Sequence, residues 1–384
     1  FREDLLSTGF ILLYLLAALS PTRASWLAVP ALLAALGSKE SAAIAPVLLL
    51  WLWICLPALR RPLKAMAGLL ISSALVVAVF ATVWIRTGSL QASSPEWEGL
   101  SLLLPANLFT LPWLWCKACK LLAWPHPLIV DYHISAILSF ADPRFLVGLF
   151  GLLFSIAAAL AFLRIHRPLA VAAGWMLIGF VPVSNLVPLY NPFAERYLYF
   201  PAIGFALIVA RLLSFIPRAA WRSLPLAGLC AAYGCLTVLR LQDWSNDLTL
   251  WSRTLKQAPG SARPHTWVGL ELKARGDIPG AVEHYTEANR LNPQDVSALV
   301  NIGICYGEAG RLGQAEQCFR EAIRRRPSKI DAYWNLTVAL QKQNRNSEAM
   351  ELARQILEID PRFPPALNAL NLYTNPASPM YIAP

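Results

Sequence analysis

Charged residues form three short clusters that border long apolar segments. The clusters are Arg2-Glu3-Asp4, Lys39-Glu40 and Glu195-Arg196-Tyr197, and a weaker fourth element ends at Asp131-Tyr132. In each cluster a cation stands beside a carboxylate. An arginine or lysine balances the charge of a phosphate, and a neighbouring carboxylate fixes the cation. The pattern therefore suits a lipid-linked phosphate at a membrane surface, where ionisable residues are candidate functional sites.

The same residues have a simpler interpretation, which chemistry alone slightly favours. Lys39–Glu40 and Glu195–Arg196 could be structural ion pairs that cap short helices. Cys116-x-x-Cys119 could bind a metal, but no second cysteine pair or histidine pair follows at ligand spacing. We therefore predict no metal site and interpret the two cysteines as small apolar residues.

Two bodies of different composition must position these clusters. The chain has 384 residues, of which 56% are hydrophobic and 15% charged, whereas soluble domains are about 25% charged. The first 242 residues carry 17 basic and 8 acidic side chains, and the remainder carries 16 and 15. The net charge of +10 thus falls almost wholly in the apolar part. It indicates membrane topology, and we expect no nucleic-acid partner.

The apolar part contains eight segments that we predict to cross a membrane as helices. They are Leu5–Leu19, Trp26–Leu36, Ala42–Leu59, Ala65–Ile85, Phe145–Leu163, Leu169–Val187, Phe200–Ile216 and Pro225–Leu239. A further apolar stretch, Leu100–Trp124, is interrupted by two prolines and two lysines, so we predict that it is interfacial or re-entrant. Residues 1–242 are therefore expected to form an all-α, multi-span membrane domain.

With this assignment the charged residues separate between the two sides of the membrane. The loops on one side carry nine basic and no acidic residues, and the other side carries all eight acidic ones. Basic loops mark the cytoplasmic side. Both chain ends and the whole C-terminal domain are thus predicted to lie in the periplasm, with the spans in a bacterial inner membrane. In a eukaryote the same domain would be lumenal.

Residues 243–384 repeat with a period of 34. The residues in register are Pro293, Pro327 and Pro361, then Ala281, Ala315 and Ala349, then the pairs Gly269/Gly303, Gly276/Gly310 and Tyr285/Phe319. A small residue lets two helices of a hairpin approach, the aromatic ring fills the next hairpin's groove, and proline ends the second helix. The pattern is typical of tetratricopeptide repeats. It predicts a half repeat, three full repeats over about 262–363, and a capping helix.

The first helices of such repeats line a concave face. This face could be a groove for an extended peptide or a partner helix, or a solvated surface with a spacer role. Asn301 and Asn335 share one repeat position and could hydrogen-bond a peptide backbone. The candidate groove residues are Lys273, Asn301, Glu308, Trp334, Asn335 and Lys342.

Six motifs together carry a family resemblance. They are Phe1-Arg-Glu-Asp-Leu-Leu, Ser38-Lys-Glu, Leu121-Leu-Ala-Trp-Pro with Asp131-Tyr132, Pro182-Val-Ser-Asn185, Ala194-Glu-Arg-Tyr-Leu-Tyr, and Trp244 with Leu250-Trp251. By these motifs nearly the whole chain resembles the protein O-mannosyltransferases that carry transmembrane and tetratricopeptide segments, in the GT-C glycosyltransferase superfamily. Phe1 and Glu3 depart from that family, which favours Gly and Ala there.

The resemblance implies an inverting transfer of mannose, or a similar sugar, from a polyprenyl phosphate donor to a Ser or Thr hydroxyl. Arg196 and Lys39 would bind the phosphate. The other implied donor-site residues are Glu195 and Glu40, which would orient the two cations, Arg2 and Asp4 at the outer mouth, and Tyr197 and Asp131. The donor is a substrate, and no cofactor is expected. The expected partners are membrane lipid, the polyprenyl-linked sugar, and an acceptor polypeptide or protein partner at the repeats.

The resemblance also places the catalytic base, an aspartate, in a loop ahead of the segment that corresponds to Phe1. No carboxylate of this sequence receives that role by motif. The chain is therefore expected either to lack the N-terminal part of a longer enzyme or to have lost catalysis. Two further interpretations stay open. One is a non-catalytic membrane-anchored repeat adaptor, or accessory subunit of a larger membrane complex, and the other is an O-antigen ligase or polymerase with repeats.

Overall fold

The computed structural model describes residues 2–20, 23–59, 62–86, 104–186 and 191–374. Within these ranges all regular secondary structure is helical, which confirms the predicted all-α class. The chain divides into two units, Phe1–Gln242 and Asp243–Pro384.

The described part of the first unit forms nine α-helices. They are α1 (Arg2–Leu19), α2 (Ala28–Ser38), α3 (Ala45–Cys55), α4 (Leu63–Arg86), α5 (Leu104–Ala123), α6 (Pro143–Ile165), α7 (Arg167–Phe180), α8 (Tyr199–Ser214) and α9 (Ala219–Leu241). Short 3₁₀ segments lead into several of them, notably Glu40–Ile44 before α3 and Glu195–Leu198 before α8. Glu40 of the second charged cluster begins the first segment, and the Glu195-Arg196-Tyr197 cluster lies within the second.

Four helical segments are long and apolar enough to cross a membrane. They are Leu63–Val83, Pro143–Ile165, Glu195–Ser214 and Trp221–Trp244. Three shorter apolar segments, Ser25–Ser38, Ser41–Cys55 and Arg167–Val183, coincide with predicted spans, as does α1 with its charged first turn. The chain is thus a membrane protein with repeats, and the count of eight spans remains a prediction.

The stretch predicted to be interfacial or re-entrant contains one continuous helix, α5, with Pro112 inside it. Gly148 of α6 lies directly over this proline. A β-carbon at Gly148 would come within 2.6 Å of the Pro112 carbonyl carbon, so only glycine permits this approach of α6 to α5. Pro112 has no backbone N–H to donate within α5. The close packing of α6 therefore stabilises α5 at the point where this hydrogen bond is missing.

A buried core joins α1, α2, α3, α4 and α7. It includes Tyr14, Leu32, Leu48 and Trp175, and the Tyr14 hydroxyl is hydrogen-bonded to that of Ser73 at 3.0 Å. Next to this core, Trp175 of α7 stacks on Phe200 of α8 with ring centroids 5.2 Å apart. These contacts hold the start of α8 against α7, and so fix the Glu195–Leu198 turn that precedes it.

The second unit contains eight α-helices within its described residues, six of which form three hairpins. They are α10 (Asp247–Gln257), α11 (Ala262–Ala274), α12 (Ile278–Leu291), α13 (Ser297–Glu308), α14 (Leu312–Arg325), α15 (Ile330–Lys342), α16 (Asn346–Ile359) and α17 (Pro364–Thr374). The order is that of a half repeat, three hairpins and a final helix. A tetratricopeptide solenoid is therefore confirmed.

Residues in repeat register pack as the 34-residue period requires. Tyr285 is fully buried, lies against Gly269 of its own hairpin, and reaches Ile302 and Cys305 of the next. Phe319 meets Gly303 in the same way. Each aromatic ring thus contacts both its own hairpin and the following one. Within its own hairpin the ring edge fits against a glycine, because glycine has no side chain to occupy that space.

Candidate functional site

Three charged residues that are far apart in the sequence line one small cavity. Asp4 comes from α1, Lys39 from the junction of α2 with the Glu40–Ile44 segment, and Arg196 from the Glu195–Leu198 turn. The cavity has a volume of ≈ 40 Å³. Its other polar walls come from Ser7, Thr8, Ser41, Tyr197 and Tyr199. The fold thus brings one member of each of the three clusters to a common site.

Lys39 is held in this cavity by an ion pair with Asp4. The Lys39 backbone is extended, with φ −164° and ψ 139°, because α2 has just ended and the 3₁₀ segment has not begun. The two side chains are only 18% and 16% exposed. Removing either partner would leave a largely desolvated charge. Asp4, which the sequence placed at the outer mouth, is thus the described partner of Lys39. The orienting role predicted for Glu40 stays a prediction, because its side chain lies outside the described structure.

Ser7 supplies the cavity with a buried hydroxyl. The residue is 2% exposed, and its Oγ has no hydrogen-bond partner within the described part of the chain. The neighbouring Thr8 hydroxyl, by contrast, donates to the Asp4 carbonyl at 2.8 Å. A buried hydroxyl without a partner costs free energy. A ligand oxygen that reached this hydroxyl would satisfy it.

Arg196 provides the second cation of the cavity. Its guanidinium lies 5.4 Å from the ring centroid of Tyr197, and no described carboxylate pairs with it. Tyr197 is itself fixed, because its hydroxyl donates to the Asn191 carbonyl at 3.0 Å. Arg196 is exposed and keeps its positive charge available. The cavity therefore pairs one neutralised cation with one uncompensated cation.

Glu195 faces a different set of partners from those predicted. Arg240 of α9 approaches its carboxylate at 3.4 Å, and the Tyr132 hydroxyl donates to it at 3.3 Å. Among the described contacts Glu195 makes no ion pair with Arg196, so the orientation of Arg196 by Glu195 stays a prediction. Adjacent residues of a helical turn project in different directions.

Tyr132 links this second cluster to the α5–α6 loop. Burial and the adjacent Glu195 carboxylate raise the pKa of Tyr132, so its hydroxyl stays protonated and donates. The Lys117 ammonium lies 4.6 Å from the centroid of the same ring, and the Phe193 ring stands edge-on to it. Glu195 is thus part of a hydrogen-bonded aromatic and cationic network beside the cavity.

The other residues predicted for the donor site lie outside the cavity, or have side chains outside the described structure. Asp131 is half-buried in the loop next to Tyr132 and is not among the described residues that line the cavity. The side chain of Arg2, like that of Glu40, lies outside the described structure. The Pro182-Val-Ser-Asn185 motif reaches the cavity through Pro182 and Val183.

Sequence reasoning missed Ser7, Lys117 and Arg240 as members of these clusters. Lys117 and Arg240 stand within apolar helices, which is a signal that could have marked them. Ser7 carries no such signal in sequence. Only its burial without a partner distinguishes it.

The predicted repeat groove contains paired and unpaired side chains. Lys273 of α11 bonds to Glu308 of α13 at 3.0 Å, so these two charges neutralise each other across neighbouring repeats. Asn335 donates to the Asp331 carbonyl of its own helix at 2.7 Å, and Trp334 packs edge-on against Phe363. The groove residues left without a partner among those described are Asn301, which is half-buried, and Lys342, which is exposed.

The described residues contain no cluster of three or more His, Cys, Asp or Glu side chains that could hold a metal. Cys116 and Cys119 are free thiols. Cys116 lies against the backbone carbonyls of Val147 and Gly148 at 3.9 Å. This position suits the small apolar residue that the sequence predicted.

Comparison with known proteins finds similarity in both units. A family model described as a tetratricopeptide repeat matches residues 272–336 and 308–372. The chain is 27% identical over 285 residues to the protein O-mannosyl-transferase Tmtc3 of Drosophila melanogaster, covering 66% of this chain and 31% of that protein. It is also 27% identical over 288 residues to TMTC3 of Mus musculus, with 67% and 31% covered. The chain thus spans about a third of the length of these relatives.

Two of the solved structures that match this chain each cover about a third of it or less. A crystal structure of MamA matches 33% of this chain and 74% of its own, at 19% identity and a TM-score of 0.31. The Arabidopsis OM64 TPR domain matches 28% and 90%, at 25% identity and a TM-score of 0.27.

Proposed function

We propose that this protein acts in the transfer of mannose, or a similar sugar, from a polyprenyl phosphate donor to Ser or Thr side chains of proteins. The observation that carries the proposal is the cavity in which Asp4, Lys39 and Arg196 meet beside the Ser7 hydroxyl. The names of the relatives, each a protein O-mannosyl-transferase, support the same activity.

In this proposal the cavity holds the phosphate of the donor. Arg196 offers an uncompensated charge, Lys39 offers a charge oriented by Asp4, and Ser7 offers a hydroxyl donor. When the acceptor oxygen bonds to the sugar, the bond from the sugar to the phosphate breaks and negative charge collects on the leaving phosphate. Cations already in position stabilise that charge without reorganisation.

The proton of the acceptor hydroxyl needs a general base. Asp4 is engaged by Lys39, and Glu195 by Arg240 and Tyr132. Neither of these two carboxylates is therefore assigned this role. The residues of this chain are proposed to bind and orient the donor, and the activity of a whole transferase is proposed from its relatives.

The repeats are proposed to present the acceptor polypeptide outside the cytoplasm. The half-buried Asn301 amide is available to an extended backbone, and the surrounding charges are mutually neutralised. The basic loops described above favour this side of the membrane.

The first test is donor binding, which does not require catalysis. The full chain in nanodiscs would be titrated with polyprenyl phosphate mannose and analysed by native mass spectrometry. We expect Lys39→Ala and Arg196→Ala each to weaken binding at least tenfold. Arg144→Ala is the control, because Arg144 pairs with Asp142 at the start of α6 and lies outside the cavity. Equal binding by all four proteins would disprove the donor site.

A second candidate function is a membrane-anchored adaptor. It is favoured by the Asp4–Lys39 pair, which is satisfied without any ligand, and by a repeat unit suited to protein contacts. Isolation from native membranes separates the two proposals. An adaptor would co-purify with another membrane protein at fixed stoichiometry and bind no polyprenyl phosphate.

A further inference from the structure

Two histidines meet in the first full repeat. His265 of α11 and His284 of α12 place their Nδ1 atoms 3.0 Å apart, with ring centroids separated by 5.2 Å and planes inclined at 43°. They stand nineteen positions apart and match no metal-binding spacing, so the sequence gives no hint of the pair. The helical hairpin alone brings them together.

The separation of the two nitrogens suits two ligands of one metal ion. Metal–imidazole bonds are about 2.0–2.1 Å long. Two such bonds to nitrogens 3.0 Å apart enclose an angle of about 95°. Square-planar and octahedral ions require an angle near 90°, whereas tetrahedral zinc would need the nitrogens about 3.3 Å apart. The pair therefore fits Cu²⁺ or Ni²⁺ better than Zn²⁺.

The surroundings of the two rings also resemble a metal site. The Pro259 carbonyl hydrogen-bonds to the His265 ring, and a ligating histidine commonly donates its second nitrogen to such an acceptor. Glu287 lies one turn beyond His284, and its charge acts on His265. Its carboxylate is held by Arg290 at 2.5 and 2.7 Å, so its recruitment would require this surface ion pair to open.

We propose that His265 and His284 form a binding site for Cu²⁺, or for Ni²⁺, that bridges the two helices of the first full repeat. The protein supplies two imidazole ligands, and water completes the coordination. A bound ion would hold α11 to α12 and stabilise the start of the solenoid. The site is independent of the sugar-transfer proposal, since both ligands lie in the repeat unit.

The test uses the full chain in detergent, freed of metal by chelation and titrated with CuCl₂. Electron paramagnetic resonance is expected to show one Cu²⁺ per chain with coupling to two nitrogens. His265→Asn and His284→Asn should each lower the affinity at least tenfold, and His133→Asn, which alters an exposed histidine elsewhere, should not. NiCl₂ should bind more weakly than CuCl₂.

A second measurement needs no variant. In the unaltered chain, Cu²⁺ should protect His265 and His284, but not His133, from modification by diethyl pyrocarbonate. Protection of both repeat histidines supports the site. Their equal modification with and without Cu²⁺, or Cu²⁺ binding that persists in the variants, would overturn it and leave an ordinary hydrogen bond between the rings.

Discussion

Lys39 and Asp4, thirty-five positions apart, form an ion pair at the wall of the cavity and are both largely withdrawn from solvent. The pair ties the end of α2 to the first turn of α1. It also sets the charge of the cavity. Of the two described cations that line the cavity, Lys39 is neutralised by Asp4 and Arg196 has no carboxylate partner.

The first prediction concerns the free energy of this pair. In a double-mutant cycle of Asp4→Asn and Lys39→Met, unfolding by SDS should give a coupling energy of about 1–3 kcal/mol. The reason is that each single substitution leaves the other residue's largely buried charge without its partner. The control cycle is Asp142→Asn with Arg144→Met, a more exposed pair that should couple measurably less than the Asp4–Lys39 pair. Equal coupling in both cycles would show that burial does not strengthen the Lys39–Asp4 pair.

The second prediction concerns the shape of the cavity. A β-carbon at Gly179 would lie 2.7 Å from Phe200, and both residues line the cavity. Gly179→Ala should push Phe200 inward and weaken polyprenyl phosphate binding at least threefold without removing a charge. Gly9→Ala in α1 is the matched control, because nothing lies within 4 Å of its added carbon. Unchanged binding in Gly179→Ala would mean that the ligand does not enter this cavity.

The third prediction is a pH dependence of the repeat unit. Burial alone would raise the pKa of Glu316, but hydrogen bonds from Arg320, Arg345 and Gln343 outweigh it and hold the pKa below its ordinary value. The folded form therefore gains stability when Glu316 is ionised. This gain is present above the unfolded pKa of about 4.3 and is lost as the pH falls through the lower folded pKa.

Glu316→Gln should accordingly destabilise the repeats by about 1 kcal/mol at pH 7, and the difference from the unaltered protein should shrink below pH 4. Hydrogen exchange of α14–α16 peptides in the full chain measures this locally. Glu351→Gln is the control, since the Glu351–Arg354 pair is more than half exposed and should contribute little. A Glu316 effect that is constant from pH 7 to pH 3 would contradict the assignment.

The fourth prediction compares two asparagines at one repeat position. The Asn335 amide is tied to the Asp331 carbonyl, whereas Asn301 has no described partner. Asn301→Ala should weaken the binding of a fluorescent Ser/Thr-rich peptide to the full chain about three- to tenfold, as expected for one lost hydrogen bond. Asn335→Ala should change the affinity less than twofold, with fluorescence anisotropy as the readout. Equal effects of the two variants would place the peptide elsewhere.

Much of the fold was open to prediction from local pattern. Apolar segments of about 20 residues predict membrane helices, and the 34-residue period predicts the repeats. Both features can be recognised from residues that are close together in the sequence. Even the left-handed residues within the repeat unit follow the period: Gly276, Gly310 and Asn344 all have positive φ at equivalent turns. Glycine and asparagine tolerate that conformation best.

The partners of the charged residues were settled only by the tertiary structure. Sequence neighbours suggested Glu195 with Arg196, but consecutive residues of a helical turn do not face each other. The fold instead gives Glu195 to Arg240 and Tyr132, and Asp4 to Lys39. His265 and His284 likewise meet only because α11 and α12 pack as a hairpin. The sequence by itself determined which helices form and where charge accumulates. Packing between helices decided which charges touch, since that depends on distances no local pattern encodes.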